Sequence, residues 1–192
     1  MRKFRIAVNL SARQLDDGRL AATVAAALSD SRLPPEALML EITETALIEN
    51  EAAAAATLRK LKQLGVQIAI DDIGTGHCTF AYLRFPIDAI KISRSFISGD
   101  LPPREAALLT AMIVKIGKRV GLEVFGEGIE TEAQLHQLQD LQCDFGQGFH
   151  FARPVRPAVI TALLRTADGL ATPAHRALPA PLALGRPALA TS

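Results

Sequence analysis

Six short runs along the chain, residues 6–10, 38–43, 66–71, 89–92, 123–126 and 143–146, have the length and apolar, β-branched character of strands. Several are continuously apolar rather than alternating, as expected of strands covered on both faces in a parallel sheet. Between them the period changes to that of helices. Leu20, Val24 and Leu28 form one stripe and Leu58, Leu61 and Leu64 another, with Gly65 at the position of a helix-terminating glycine. Leu108, Met112 and Ile116 predict a third buried face, entered through Pro102-Pro103 and closed by Gly121. Thr131-Glu132-Ala133-Gln134 reads as a capping box that opens a helix carrying Leu135, Leu138 and Leu141. Alternating units of this size predict an α/β parallel sheet, either open or closed as a barrel.

The predicted domain occupies residues 1–165. Beyond it the pattern stops, and residues 166–192 are rich in Ala and Pro without period, which predicts a flexible tail.

The polar residues that interrupt the apolar runs carry the chemistry. Asn9 stands near the end of the first, Glu41 in the second and Asp71-Asp72 at the close of the third. Lys91 lies late in the fourth, Glu127 follows the fifth and Gln147 the sixth. One polar strand end is ordinary turn chemistry. A parallel sheet, however, opens all its strand carboxyl ends onto one face, so these side chains converge from across the sequence.

Glu41, Asp71, Asp72 and Glu127 brought together repel one another unless cations compensate. A donor set of oxygens alone favours hard divalent cations such as Mg²⁺ or Mn²⁺ over zinc. Such ions suit displacement at phosphorus, and Lys91 is placed to orient water or offset charge on a phosphate. The residues therefore point to metal-dependent phosphoester hydrolysis without naming a substrate. His77, His136, His150 and His175 lack paired-ligand spacing, and Gly74-Thr75-Gly76 is read as a turn after Asp72 rather than a phosphate cradle. Glu44 is read as a solvated helix-start acid.

Composition narrows the partners. Lys+Arg total 21 against Asp+Glu 20, a net charge of +1, which removes the electrostatic case for a nucleic-acid polymer or an acidic membrane. No run approaches the ~18 apolar residues of a membrane span. Two cysteines, Cys78 and Cys143, suggest free thiols in a reducing, cytoplasmic setting.

Val8-Asn9-Leu10-Ser11, Leu40-Glu41-Ile42-Thr43-Glu44, Asp71-Asp72-Ile73-Gly74-Thr75-Gly76, Phe85-Pro86-Ile87-Asp88-Ala89-Ile90-Lys91-Ile92, Glu127-Gly128-Ile129-Glu130-Thr131, Gly146-Gln147-Gly148-Phe149 and Ala152-Arg153-Pro154 resemble, in order, the motifs of the bacterial EAL domains. The resemblance implies a modified (β/α)8 TIM-like barrel that linearises cyclic di-GMP to pGpG with Mg²⁺ or Mn²⁺. It implies metal-site roles for Asn9, Glu41, Asp71, Asp72 and Glu127, and catalytic roles for Lys91, Glu127 and Gln147. Gln147 would lie beside substrate or water, and Glu130 would anchor the loop after Asp72.

Three departures from the family pattern stand out. The family's first two β/α units, with the glutamate of Glu-Ala-Leu, do not precede Asn9, so about six of eight strands are expected and the chain alone should hydrolyse little. Ser93 stands where the family has aspartate, and residues 82–86 form a stretch one residue short. These features keep a second reading open: a degenerate module that binds cyclic di-GMP or a partner without cleaving it, or an inactive fragment. A second copy of the chain, or an upstream sensor or cyclase domain, are the protein partners compatible with either reading.

Overall fold

The computed structural model describes residues 4–48, 51–74, 80–99 and 101–167. Six strands, β1 Ile6–Leu10, β2 Leu38–Thr43, β3 Gln67–Ile73, β4 Ala89–Ile92, β5 Glu123–Gly126 and β6 Phe145–Gly146, form one sheet in sequence order. Every neighbouring pair is parallel. The helices are α1 Ala12–Leu15, α2 Leu20–Ser31, α3 Glu44–Ile48, α4 Glu51–Gln63, α5 Arg94–Ser98, α6 Pro103–Val120, α7 Glu132–Asp140 and α8 Pro157–Ala167. The result is an α/β half-barrel of the TIM type, with helices on the convex side. His77, Cys78, His175, the end of the Gly74-Thr75-Gly76 segment and residues 168–192 of the predicted tail lie outside the described residues. α8 runs across the predicted domain boundary.

The predicted strands are placed as read, except that β3 starts one residue later and runs on to Ile73, and β6 is only two residues long. Alternation sorts their side chains. Leu38, Leu40 and Ile42 of β2 join Ile68, Ile70, Ile90 and Val124 in the main core beneath the helices. Met39, Ala69, Ala89 and Phe125 form a separate small cluster on the other face. On β2 to β5 the next residue on that face is Glu41, Asp71, Lys91 or Glu127, so this cluster is the floor on which the polar groups stand.

The sheet is curled, and one contact proves it. Arg5 pairs with both carboxylate oxygens of Glu123 and lies over the Phe145 ring, 5.4 Å from its centroid. Residues flanking β1 and starting β5 are four strand steps apart, about 19 Å on a flat sheet, more than two side chains can span.

Two expectations are corrected. Leu108 and Met112 of α6 do not face the core; they are 62% and 47% exposed. The buried face is Ala106, Thr110, Ile113, Val114 and Gly117. Small residues win because the helix lies close on the sheet: a Cβ at Gly117 would come within 2.7 Å of both Ile90 and Val124. Glu44 is also not solvated but 5% exposed, because α3 packs against β2 and β3 and carries its first residue inward.

Candidate metal and phosphodiester site

The strand carboxyl ends bring the predicted charges together around one cation. The Lys91 ammonium donates to Glu41 at 2.8 Å, lies 3.3 Å from Asp71 and pairs with Glu127. Lys91 and Glu41 are 3% and 6% exposed. Burial works against the lysine charge, but the attraction of Glu127 and Glu41 outweighs it and holds the ammonium above its ordinary value. Burial also raises Glu127 above the ordinary carboxylate value; Lys91 opposes this, while Asp71 and Glu41 add to it.

Consecutive strand residues point to opposite faces, so Asp71 and Asp72 should not share a site. The register of β3 against β4 shifts between Ile70 and Ile73, and Asp72 takes φ +54°, in the left-handed region. This irregularity re-aims the second carboxylate. Carboxylate oxygens of Asp71, Asp72 and Glu127 consequently lie within 4.8 Å of one another. An aspartate tolerates this backbone better than most residues, at a modest cost in strain.

Asn9 is in register with Glu41 on β1, next along the same face. Gln147 follows β6 with an exposed side chain; its backbone donates to Gly126 at 2.8 Å and accepts from Ile129 at 3.1 Å. The Glu130 carboxylate accepts from Arg94 at 2.7 Å. Ser93 is the N-cap of α5, its hydroxyl oxygen accepting from the Ser95 amide at 3.4 Å. His136 and His150 stand apart from this cluster, on α7 and against the Phe151 ring.

Sequence reading gave Phe149 and Arg153 no role. Phe149 is 49% exposed just beyond Gln147, with the Arg153 guanidinium 4.6 Å from its ring centroid. A large aromatic two residues after a strand-end amide was the available signal.

Chemically, the carboxylates outnumber the one ammonium they surround, and their oxygens converge without a sulfur or imidazole donor. This set fits a hard divalent cation, which would take up the uncompensated charge.

Comparison with known proteins places these features. The model of the EAL domain family matches residues 1–154. The cyclic di-GMP phosphodiesterase NbdA of Pseudomonas aeruginosa is 38% identical over 178 residues, covering 92% of this chain and 23% of NbdA. The solved PaMucR phosphodiesterase in complex with c-di-GMP superposes with a TM-score of 0.77 at 38% identity, covering 81% of this chain and 64% of that one. The EAL domain of Mycobacterium smegmatis DcpA gives a TM-score of 0.78 at 31% identity, covering 88% and 75%. The chain spans about a quarter or less of the length of curated relatives such as NbdA.

Proposed function

Because this chain belongs to the EAL domain family, we propose that its carboxylate cluster serves metal-dependent hydrolysis of cyclic di-GMP to linear pGpG. The observation that carries the reading is the convergence of Glu41, Asp71 and Glu127 around Lys91 at the strand carboxyl ends, with Asp72 beside Asp71 and Glu127. Asp71, Asp72 and Glu127, with Glu41 and Asn9 beside them, are the residues that would hold Mg²⁺ or Mn²⁺. Such an ion supplies charge compensation and a lowered pKa for bound water.

The protein's own groups do the rest. Lys91 keeps its proton and offers a fixed positive charge toward a phosphate oxygen. Glu127, between Lys91 and the Asp71–Asp72 pair, is the carboxylate placed to take a proton from water. The exposed Gln147 amide is free to orient water or a phosphoryl oxygen, and the Met39, Ala69, Ala89 and Phe125 floor keeps solvent from beneath the site. Glu130 acts through Arg94, positioning the segment that follows Glu127.

One observation favours a second reading, a module that binds the nucleotide without cleaving it. Lys91 pairs with three carboxylates at once, which offsets part of their mutual repulsion without a divalent ion.

Calorimetric titration with Mn²⁺ and a chromatographic assay for pGpG separate the two. Asp71→Asn is expected to weaken Mn²⁺ binding at least about tenfold, whereas the exposed Glu105→Gln leaves it unchanged; equal losses would remove the metal site. With the family's Glu-Ala-Leu units supplied, pGpG should form in Mn²⁺ and not in EDTA. Tight cyclic di-GMP binding that is indifferent to EDTA and yields no product establishes the binding module instead.

A further inference from the structure

Phe4 and Phe149 are the large aromatic side chains that remain exposed among the described residues, at 45% and 49%. Phe4 precedes β1 and so lies at the amino end of the strands, away from the carboxylates. Phe149 follows β6 by three residues and lies at the carboxyl end, two residues after Gln147. Apolar surface of this size at the mouth of a polar site calls for a ligand with a flat face.

The turn that carries Phe149 is held firmly. The Ile129 amide donates to Gln147 at 3.1 Å and the His150 amide to Ile129 at 2.9 Å, so residues 147–150 are fastened to the segment that leaves Glu127. Two further amides, of Phe151 and Ala152, close the turn onto the Gly148 carbonyl at 3.1 and 3.3 Å. The approach is so close that a Cβ at Gly148 would stand 2.1 Å from the Ile129 carbonyl oxygen, and only glycine fits there. Arg153 then lies over the Phe149 ring at 4.6 Å, which occupies one ring face and fixes the side chain. The ring is thus presented on a rigid support, with the unoccupied part of its surface open to solvent.

We propose that Phe149 is a stacking platform for a guanine base of the nucleotide, with Arg153 as the residue that positions its ring. The proposal rests on the reading that cyclic di-GMP is the ligand of this site, and it adds a base-binding element beside the groups that handle phosphate. The chemistry is that of single-stranded nucleotide recognition, where a base π-face lies on an exposed aromatic side chain. Gln147 and the carboxylates address the sugar-phosphate ring, and Phe149, one turn further out, addresses the base.

The chain has no tryptophan, so Phe149→Trp introduces a single fluorophore at the platform. In the full 192-residue chain, titration with cyclic di-GMP is expected to quench that fluorescence, and titration with inorganic phosphate is expected to leave it unchanged. Calorimetry should show Phe149→Ala binding cyclic di-GMP about 5- to 150-fold more weakly, with Mn²⁺ affinity unaltered and with partial recovery in Phe149→Tyr. Wild-type binding matched by Phe149→Ala, together with unquenched Phe149→Trp, overturns the platform and leaves the parent reading standing. Absence of cyclic di-GMP binding in the wild-type chain overturns both. Loss of Mn²⁺ binding in Phe149→Ala also overturns the platform, because the residue would then be supporting the metal cluster.

Discussion

The two ends of the strands use the same kinds of charge in opposite ways. At the amino end, Asp88 precedes β4, accepts from the Ile68 amide of β3 at 2.8 Å and pairs with Lys62 of α4 at 2.7 Å. Asp144 repeats the arrangement one unit along: it precedes β6, accepts from the Val124 amide of β5 at 2.9 Å and pairs with Lys118 of α6. Each of these aspartates has its own lysine and a buried backbone donor to satisfy. At the carboxyl end, Glu41, Asp71 and Glu127 share Lys91, with Asp72 alongside. One end is electrically complete and serves stability. The other holds an excess of negative charge that is useful only when a cation arrives to offset it and, through that cation, to receive a phosphate-bearing ligand.

Removing the shared cation should produce the largest effect. Lys91→Met leaves three carboxylates without compensation and is expected to cost about 3–5 kcal/mol of stability, measured by urea unfolding in EDTA. Added Mn²⁺ should restore part of that loss. A loss that Mn²⁺ does not relieve would mean that the two ends do not differ in the way described.

The next contrast sets one aspartate from each end side by side. Asp144→Ala strips the acceptor from the buried Val124 amide and should cost about 1–3 kcal/mol while leaving Mn²⁺ titrations unchanged. Asp71→Asn should do the reverse, weakening Mn²⁺ binding while holding or raising the unfolding midpoint, because it relieves repulsion. If both variants lose stability alike, the carboxyl end is as structural as the amino end.

A smaller effect lies in the pH dependence. Glu127 has a folded pKa above its ordinary value, so between those two values the folded chain binds more protons than the unfolded one. Its contribution to stability therefore grows as pH falls through the folded pKa and is lost as pH rises again. Subtracting the unfolding curve of Glu127→Gln from that of the wild type between neutral and acid pH should isolate this slope, and a difference independent of pH would contradict it.

Ser93→Asp comes last, because its readout is turnover rather than stability. Both residues cap helices well, so the cap is kept, and any stability loss comes from placing a carboxylate at a position only 4% exposed. Because Ser93 spends its hydroxyl on α5, a rise in turnover in a chain extended by the Glu-Ala-Leu units would assign an added carboxylate a role beyond capping.

What was legible in the sequence follows from what is periodic. Continuous apolar runs announced β1 to β5, and the polar residue closing each run announced the site, because strand direction alone decides that these positions converge. The face of α6 was not legible. That helix is apolar on two sides, and only the tight approach of Gly117 to Ile90 and Val124 selects the side with Ala106 and Val114. The sharing of one cluster by Asp71 and Asp72 depends on a β3 irregularity that no local composition signals. The burial of Glu44 likewise depends on where α3 docks, a tertiary matter. Gly128 fits beneath Arg94, where a Cβ would come within 2.4 Å of the arginine side chain, and Arg94 in turn holds Glu130, a pairing 36 residues apart in sequence.

The strand order β1-β2-β3-β4-β5-β6 also bears on how the molecule comes apart. Among the described residues each strand hydrogen-bonds to its neighbours in sequence, so these strands couple from one unit to the next, as in a tandem array. In such an array a strand held on both sides by well-buried neighbours opens last. β1 is exposed at four of its five positions, whereas β4 is buried at all four. Amide hydrogens of β3 and β4, each held between two neighbours, should then exchange by global unfolding. Against this unit-to-unit coupling, the pair of Arg5 with Glu123 joins residues 118 apart in sequence, a contact with a far larger loop-closure cost than any between neighbouring strands.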